Sequence, residues 1–378
     1  MAEMTSEERI NKAQNLEEAD RVPCAPMLSY YMAVAAGMTV ADIFYDLDKA
    51  EKAWEMTYER HGRVFDMCSY GPLISSHLDI MPDMFSTYYF DWALPGRERG
   101  SNMIPNLKER ASDDPLMTED DYDVLIEEGF HGFFSFRRAG LSDFLEFLKI
   151  PGYIDKFRVK WVVEKKVPSI IDLGLNGPFD ILSVLRGSTN FMIDLHKRPE
   201  KIKAAMEAVE EGLIAAALGG AKQNKAKTII MGAARGSADF ISPKQFEELC
   251  LPFLVKASHA VVEAGYRLQY HMDTNWTPML EYFKELPAKS GFLHMDERTD
   301  IFKAKEILGD HLCLFGNLKP SLFSFGTPAE VERQTRELIE KCAPGGGFIL
   351  SAELPDMETK PENVQAMCDA LIKYGAYS

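Results

Sequence analysis

Residues 267–320 read RLQYHMDTNWTPMLEYFKELPAKSGFLHMDERTDIFKAKEILGDHLCLFGNLKP. Three short apolar runs, Arg267–Met272, Gly291–Met295 and Leu312–Phe315, alternate here with two stretches of helical periodicity, Pro278–Glu285 and Thr299–Leu308. A short, nearly continuous apolar run marks a strand buried on both faces, as in a parallel sheet covered by helices. Strand, helix and strand in succession make the parallel βαβ unit. The rhythm continues outward in both directions. Further apolar runs lie at Val22–Leu28, Val64–Ser69, Ser169–Leu175, Thr228–Ala233 and Gly347–Ser351. Helical stretches lie at Val40–His61, Pro199–Gln223, Pro243–Ala264, Pro328–Lys341 and Pro361–Lys373. Several open with proline behind a capping residue, as in Ser242-Pro243, Thr277-Pro278 and Thr327-Pro328, where the missing N–H costs nothing. Eight strands with peripheral helices predict a closed (β/α)8 TIM barrel. A doubly wound open sheet is the alternative, but no GxGxxG follows the first strand.

The whole chain of 378 residues reads as one such domain, since α/β barrels of this size fold as single units. The N-terminal MAEMTSEERINKAQ reads as an amphipathic helix rather than a targeting signal. Residues 71–163 break the strand–helix rhythm with Pro72, Pro82, Pro95-Gly96-Arg97, Pro105, Asp113-Asp114-Pro115 and the cluster His131-Gly132-Phe133-Phe134-Ser135-Phe136. A long insertion of this kind is expected as a cap near the barrel mouth, or else as a stretch packed outside it. The formal net charge of −16 argues against nucleic-acid binding, which depends on Lys and Arg neutralising phosphates. No run of about 18 apolar residues suggests a membrane span. Six cysteines are scattered without a CxxC pair, which fits reduced thiols in the cytoplasm and signals no zinc ribbon. A homo-oligomer is compatible with such a barrel.

Barrel chemistry gathers at the C-terminal ends of the strands, so the residues delivered there are the candidates. Arg267–Met272 runs into His271-Met272-Asp273. Alternation puts His271 and Asp273 on one face, where an imidazole and a carboxylate suit a zinc ion or a hydrogen bond that shapes a loop. His294-Met295-Asp296 repeats the spacing one strand later and is a rival site. Glu353 follows the last strand, as a third ligand, a general acid or a solvated carboxylate. Arg235 follows Thr228–Ala233, placed to fork a carboxylate or to pin a neighbour such as Asp239. Asn176 offers a donor and an acceptor beyond Ser169–Leu175, or simply begins a Gly-Pro turn. Tyr30 and Tyr31 follow the first strand as pocket-lining phenols or as packing.

Taken together, these stretches resemble the uroporphyrinogen decarboxylase superfamily. The carriers are Arg21-Val22-Pro23, Pro95-Gly96-Arg97-Glu98, Gly177-Pro178-Phe179-Asp180, the segment from Ile241 to Phe246, His271-Met272-Asp273, the segment from Asp300 to Asp310, Gly316-Asn317 and the segment from Lys360 to Val364. The family fold is a (β/α)8 barrel, in agreement with the strand count. Porphyrin decarboxylases of this family carry an arginine-rich motif, RQAGRYLPEYR, after the first strand. Here the residues from Tyr30 to Met38 read YYMAVAAGM, with no arginine to clamp a propionate. The resemblance therefore implies the other branch, corrinoid-dependent methyltransferases. Thiol-using members have a zinc site of His-x-Cys plus a later Cys. In this chain His271 matches the histidine, Asp273 replaces the first cysteine, and the last position falls on Ala352 or Glu353. A ligand set of His271, Asp273 and Glu353 is harder than a thiolate set and favours oxygen. This implies a methyl donor with an oxygen leaving group, such as a methoxylated aromatic. No DxHxxG corrinoid signature occurs, so the cobalamin is expected on a partner protein. The alternative activity is decarboxylation of a porphyrin-like or smaller carboxylated substrate.

Overall fold

The computed structural model describes residues 3–68, 91–93, 102, 106–108, 113, 115–136, 155–170, 172–354 and 357–377. Much of the 71–163 stretch lies outside these residues. Within it, β1 (Asp91–Ala93) and β2 (Asn106–Lys108) form an antiparallel pair. The helix Asp121–Glu128 and the turns that follow pack on the outer helix Pro199–Gln223.

Six strands pair parallel in chain order: β3 (Leu173–Asn176), β4 (Thr228–Gly232), β5 (Arg267–Met272), β6 (Gly291–Met295), β7 (Cys313–Leu318) and β8 (Phe348–Ala352). The two N-terminal apolar runs fill the gap between β8 and β3. Cys24 and Met27 bridge Leu350 and Glu353 in parallel, and Cys68 bridges Ser169 in parallel. The Asp66 N–H donates to the Cys24 carbonyl at 2.6 Å, joining the two runs and closing the barrel. The first run makes bridges rather than a long ladder because Pro23 and Pro26 interrupt it, and the second because Pro168 stands beside its bridge partner Ser169, each proline lacking an N–H to donate. No helix among the described residues is long and apolar enough to cross a membrane.

Alternation along the strands divides the core in two. The larger cluster packs the outward strand faces against the helices. The smaller contains Ala25, Met67, Ile170, Phe292, Cys313, Phe315 and Ile349 from the barrel wall, together with Ile10 and Ala13. Those last two come from the N-terminal helix Ser6–Gln14, which a capping box between Thr5 and Glu8 starts. Lys227 reaches Glu7 at 2.7 Å and Arg267 reaches the Asn11 Oδ1 at 2.6 Å, so this helix plugs the end where the strands begin. Buried Asp66 completes the floor, accepting from Arg9 Nη1 (3.1 Å), Arg21 Nη1 (2.7 Å), Ser6 Oγ (2.9 Å) and the Cys24 N–H (2.9 Å).

Gln269 shares its strand face with His271, one layer below it, and is paired in register with Phe292. It is fully buried, and neither its Nε2 nor its Oε1 finds a partner among the described residues. An unsatisfied buried amide costs about 1–3 kcal/mol, and an apolar group of similar shape removes that penalty. Gln269→Met is therefore expected to raise the denaturation midpoint, by about 1–2 kcal/mol of stability. A lower midpoint would mean that ordered water satisfies the amide in the folded protein.

Candidate active site at the barrel mouth

β5 and β6 deliver two histidines side by side. The ladder pairs His271 with His294, and both side chains turn inward. Their rings stack at 18°, centroids 4.9 Å apart, with the two Nδ1 atoms 2.8 Å from one another. Phe315 of β7 backs the His294 ring at 4.6 Å. The opposite nitrogen of His271, Nε2, lies 3.1 Å from Asp273 Oδ1. Glu353, just beyond β8 and held by its bridge to Met27, brings Oε1 to 4.0 Å from His294 Nδ1. Donor atoms of His271, His294 and Glu353 all lie within 4.8 Å of one another.

Position decides how these groups are charged. Burial opposes a proton on His271, but the Asp273 carboxylate outweighs it, with Glu353 and Asp296 adding, and the imidazole is pushed up to about 9. His294 suffers the same burial and faces His271, and it falls to about 3. Burial pushes Glu353 up to about 7; His271 pulls it back, while Asp273 and Asp296 push it further. Near neutral pH the pair is thus an imidazolium beside a neutral imidazole.

Asp273 and Asp296 do different work. Asp273 sits at the far side of His271 from the other donors, the place of the carboxylate that orients a metal-ligating histidine. Asp296 spends its carboxylate on the loops: Oδ2 accepts from the Thr274 N–H (3.2 Å) and Oδ1 from the Arg298 N–H (2.8 Å). Thr274 has φ +72, a left-handed backbone that a β-branched residue adopts only when its surroundings impose it. Those surroundings are Ser237 Oγ, 2.5 Å from its hydroxyl, and Thr299 Oγ1, which donates to its carbonyl at 2.9 Å. Trp276 Nε1 donates to the Asp273 carbonyl at 2.6 Å. The expected rivals, His271 with Asp273 and His294 with Asp296, form one centre through their histidines.

Two imidazoles and a carboxylate, with a second carboxylate orienting one imidazole, fit a divalent ion of the zinc type. A narrow cleft opens beside them, lined by His294, Asp296, Glu297, Asn317 and Glu353 among others.

The remaining expected residues lie around this centre. Asn176 ends β3, and its Oδ1 stands 3.1 Å from where a Cβ on Gly232 would lie. Gly232 is in turn the register partner of His271. Arg235 gives its backbone N–H to Asp180 Oδ1 at 2.9 Å, and its guanidinium meets the Ser188 hydroxyl. Asp239 pairs with Arg298 at 2.9 Å. Tyr30 sits at the N-cap of the helix Tyr31–Ala36 and packs on the main core, while the buried Tyr31 hydroxyl meets His61 Nε2 at 2.7 Å. Asp180 was not singled out by spacing. Burial pushes its carboxyl up to about 6, against the pull of the Arg235 backbone and charge.

The family model for uroporphyrinogen decarboxylase (URO-D) matches residues 159–374, more than half of the chain. The chain belongs to the uroporphyrinogen decarboxylase family. Among curated relatives, the uroporphyrinogen decarboxylase of Pseudoalteromonas atlantica is 25% identical over 145 residues, 36% of this chain and 39% of that protein. That of Methylococcus capsulatus is 32% identical over 95 residues, 24% and 26% of the two chains. The matched stretches thus span well under two thirds of these relatives. A methyltransferase from Methanosarcina mazei superposes with a TM-score of 0.70 at 17% identity, over 98% of this chain and 99% of the other. A B12-independent methionine synthase from Shewanella sp. W3-18-1 gives 0.50 at 8% identity, over 93% and 96%. At these identities the likeness is one of fold, and it agrees with the barrel predicted from the strand–helix rhythm. In this URO-D family member the strand ends where barrels place their chemistry carry the histidine pair and Glu353.

Proposed function

We propose that this protein is a methyltransferase that moves a methyl group from a small methylated donor, a methoxylated aromatic in the favoured case, to the Co(I) centre of a separate corrinoid protein in the cytoplasm. The observation that carries the reading is the convergence of His271, His294 and Glu353 at the barrel mouth. In this reading the three residues hold a zinc ion, and Asp273 fixes the orientation of His271. A bound zinc supplies Lewis acidity toward an ether oxygen. The chain's own part is positional: Asn176 and Arg235 flank the mouth, and the methyl carbon must stay open to the cobalt face. The methyl group leaves its oxygen, which keeps the bonding electron pair, and bonds to cobalt.

Decarboxylation is the second reading, favoured by the activity named for the curated relatives. Against it stands the segment after the first strand. Where a porphyrin clamp would need arginines, the helix Tyr31–Ala36 buries Tyr31, Met32, Ala33 and Ala35.

Zinc content of the purified protein, with methylcobalamin formation from Co(I) and a panel of methoxyarenes, tests the proposal. One zinc per chain and methyl transfer are expected. Porphyrinogen turnover, with no methyl transfer from any donor, would replace it with the decarboxylase reading.

A further inference from the structure

Beside the histidines, the loops at several strand ends are tied together by a chain of hydrogen bonds in which His271, His294 and Glu353 take no part. The chain starts at Asn317 of β7, which is 9% exposed. Its Nδ2 donates to two backbone carbonyls, that of Asp296 at 3.2 Å and that of Thr299 at 2.9 Å. These residues open and close the turn after β6, whose own bond runs from the Thr299 N–H to the Asp296 carbonyl at 3.1 Å. A carboxamide carries two N–H donors on one nitrogen, so one side chain can serve both carbonyls. Fixing the turn fixes the buried Thr299 hydroxyl. That hydroxyl donates to the Thr274 carbonyl at 2.9 Å and accepts the Trp276 N–H at 2.9 Å. Ser237 Oγ stands 2.5 Å from the Thr274 hydroxyl, so the residues after β5 are held from the loops after β4 and β6 at once.

These bonds converge on one short stretch, Asp273 to Trp276. The Asp273 carbonyl accepts Trp276 Nε1 at 2.6 Å, and its carboxylate stands 3.1 Å from His271 Nε2. Thr274, the next residue, keeps φ +72, a conformation that threonine holds only where its neighbours impose it.

We propose that Asn317 and Thr299 are positioning residues: they clamp Thr274 in its left-handed conformation and so hold the Asp273 carboxylate on the His271 ring. This role rests on the metal centre of the methyltransferase reading and deepens it. Released from the clamp, Thr274 relaxes to negative φ, and the carboxylate beside it moves off the imidazole nitrogen that it orients. A metal-ligating histidine loses affinity when the partner of its other nitrogen goes. Asn317 and Thr299 thus act on the metal only through Asp273.

Zinc affinity, measured by competition with a chromophoric chelator in single and double variants, tests this. Thr299→Val keeps the shape and removes the hydroxyl; it is expected to weaken zinc binding by about tenfold, the lower end of what loss of an orienting partner costs. Thr299→Ser restores the hydroxyl and is expected to bind zinc like the wild type. In the Asp273→Ala background Thr299→Val is expected to add less than about twofold, because changes that act through one shared contact are not additive. Asn317→Ala removes both donors at the far end of the chain. It is expected to repeat this pattern, and it carries the test if Thr299→Val does not fold. Folded variants with wild-type zinc affinity and only a lowered denaturation midpoint would overturn the proposal. A tenfold loss that persists in full on top of Asp273→Ala would overturn it as well. Wild-type protein that binds no zinc would remove the metal centre itself, and the clamp's role with it; zinc on the wild type with either of the other two results sinks the clamp alone.

Discussion

Purified His294→Gln protein is expected to contain almost no zinc, whereas Asp273→Asn protein retains it with affinity weakened by about 10–100-fold, the usual effect of removing a carboxylate that orients a ligand. The contrast follows from which nitrogen each group faces. His294 Nδ1 lies 2.8 Å from His271 Nδ1 and 4.0 Å from Glu353 Oε1, inside the group of converging donors. Asp273 lies on the opposite nitrogen of the same ring. Removing one of three protein ligands from a zinc site leaves too few to hold it, and glutamine keeps the side chain's bulk in a position that is only 2% exposed. Methyl transfer should follow the metal in both variants. Zinc titrations followed by atomic emission separate the outcomes. The reverse result, zinc lost with Asp273→Asn and kept with His294→Gln, would restore the pairing of His271 with Asp273 as ligands.

Most of the fold is legible in the chain because buried parallel strands announce themselves by composition. The expected Arg267–Met272 and Gly291–Met295 coincide with β5 and β6, and Thr228–Ala233 ends one residue beyond β4. The third strand begins later than Ser169 because Pro168 and the single bridge to Cys68 hold its first residues apart from the ladder. Two expected helices are each divided. Asp46 breaks Val40–His61 by turning extended and capping Leu47–Arg60 through the Lys49 N–H, as aspartate does at an N-cap. Pro252 divides Pro243–Ala264 at Cys250, where a second helix starts with proline in its first turn.

The site is less legible, for a geometric reason. Spacing within a strand fixes which side chains share a face, and it places His271, Gln269 and Arg267 together. It cannot fix the offset between neighbouring strands, and that offset puts His271 beside His294. Two HxD motifs therefore read as competitors when the register makes them partners. The same alternation settles the end of β8: Ala352 is buried, and Glu353 turns toward the histidines. Asp180 carried no sequence signal beyond its place in Gly-Pro-Phe-Asp. Its raised carboxyl comes from burial where β4 meets the helices Pro178–Arg186 and Leu251–Glu263.

Replacing Glu353 with glutamine is expected to abolish most methyl transfer while stabilising the metal-free fold at alkaline pH. Removing one of the three protein ligands leaves too few to hold zinc, and the rate should fall with the metal, by about 10²-fold or more, at least the low end of what a lost catalytic carboxylate costs. The stability effect has a definite sign. Glu353 is pushed up to about 7 in the folded protein from 4.5 in the unfolded chain. Below pH 4.5 it is neutral in both states and glutamine changes little. Between pH 4.5 and 7 the unfolded chain ionises more readily than the folded one, and the wild type loses stability progressively. Above pH 7 that loss is complete, and the variant should exceed the wild type by about 1 kcal/mol after allowance for the 39% exposed side chain. Chemical denaturation at pH 4 and pH 8, both with a chelator present, reads the difference directly. A variant with the wild-type rate, full zinc and no pH-dependent gain would make Glu353 a solvated loop carboxylate. A variant more stable at pH 8 yet inactive would show a group held at an energetic cost for what it binds, as functional sites often are.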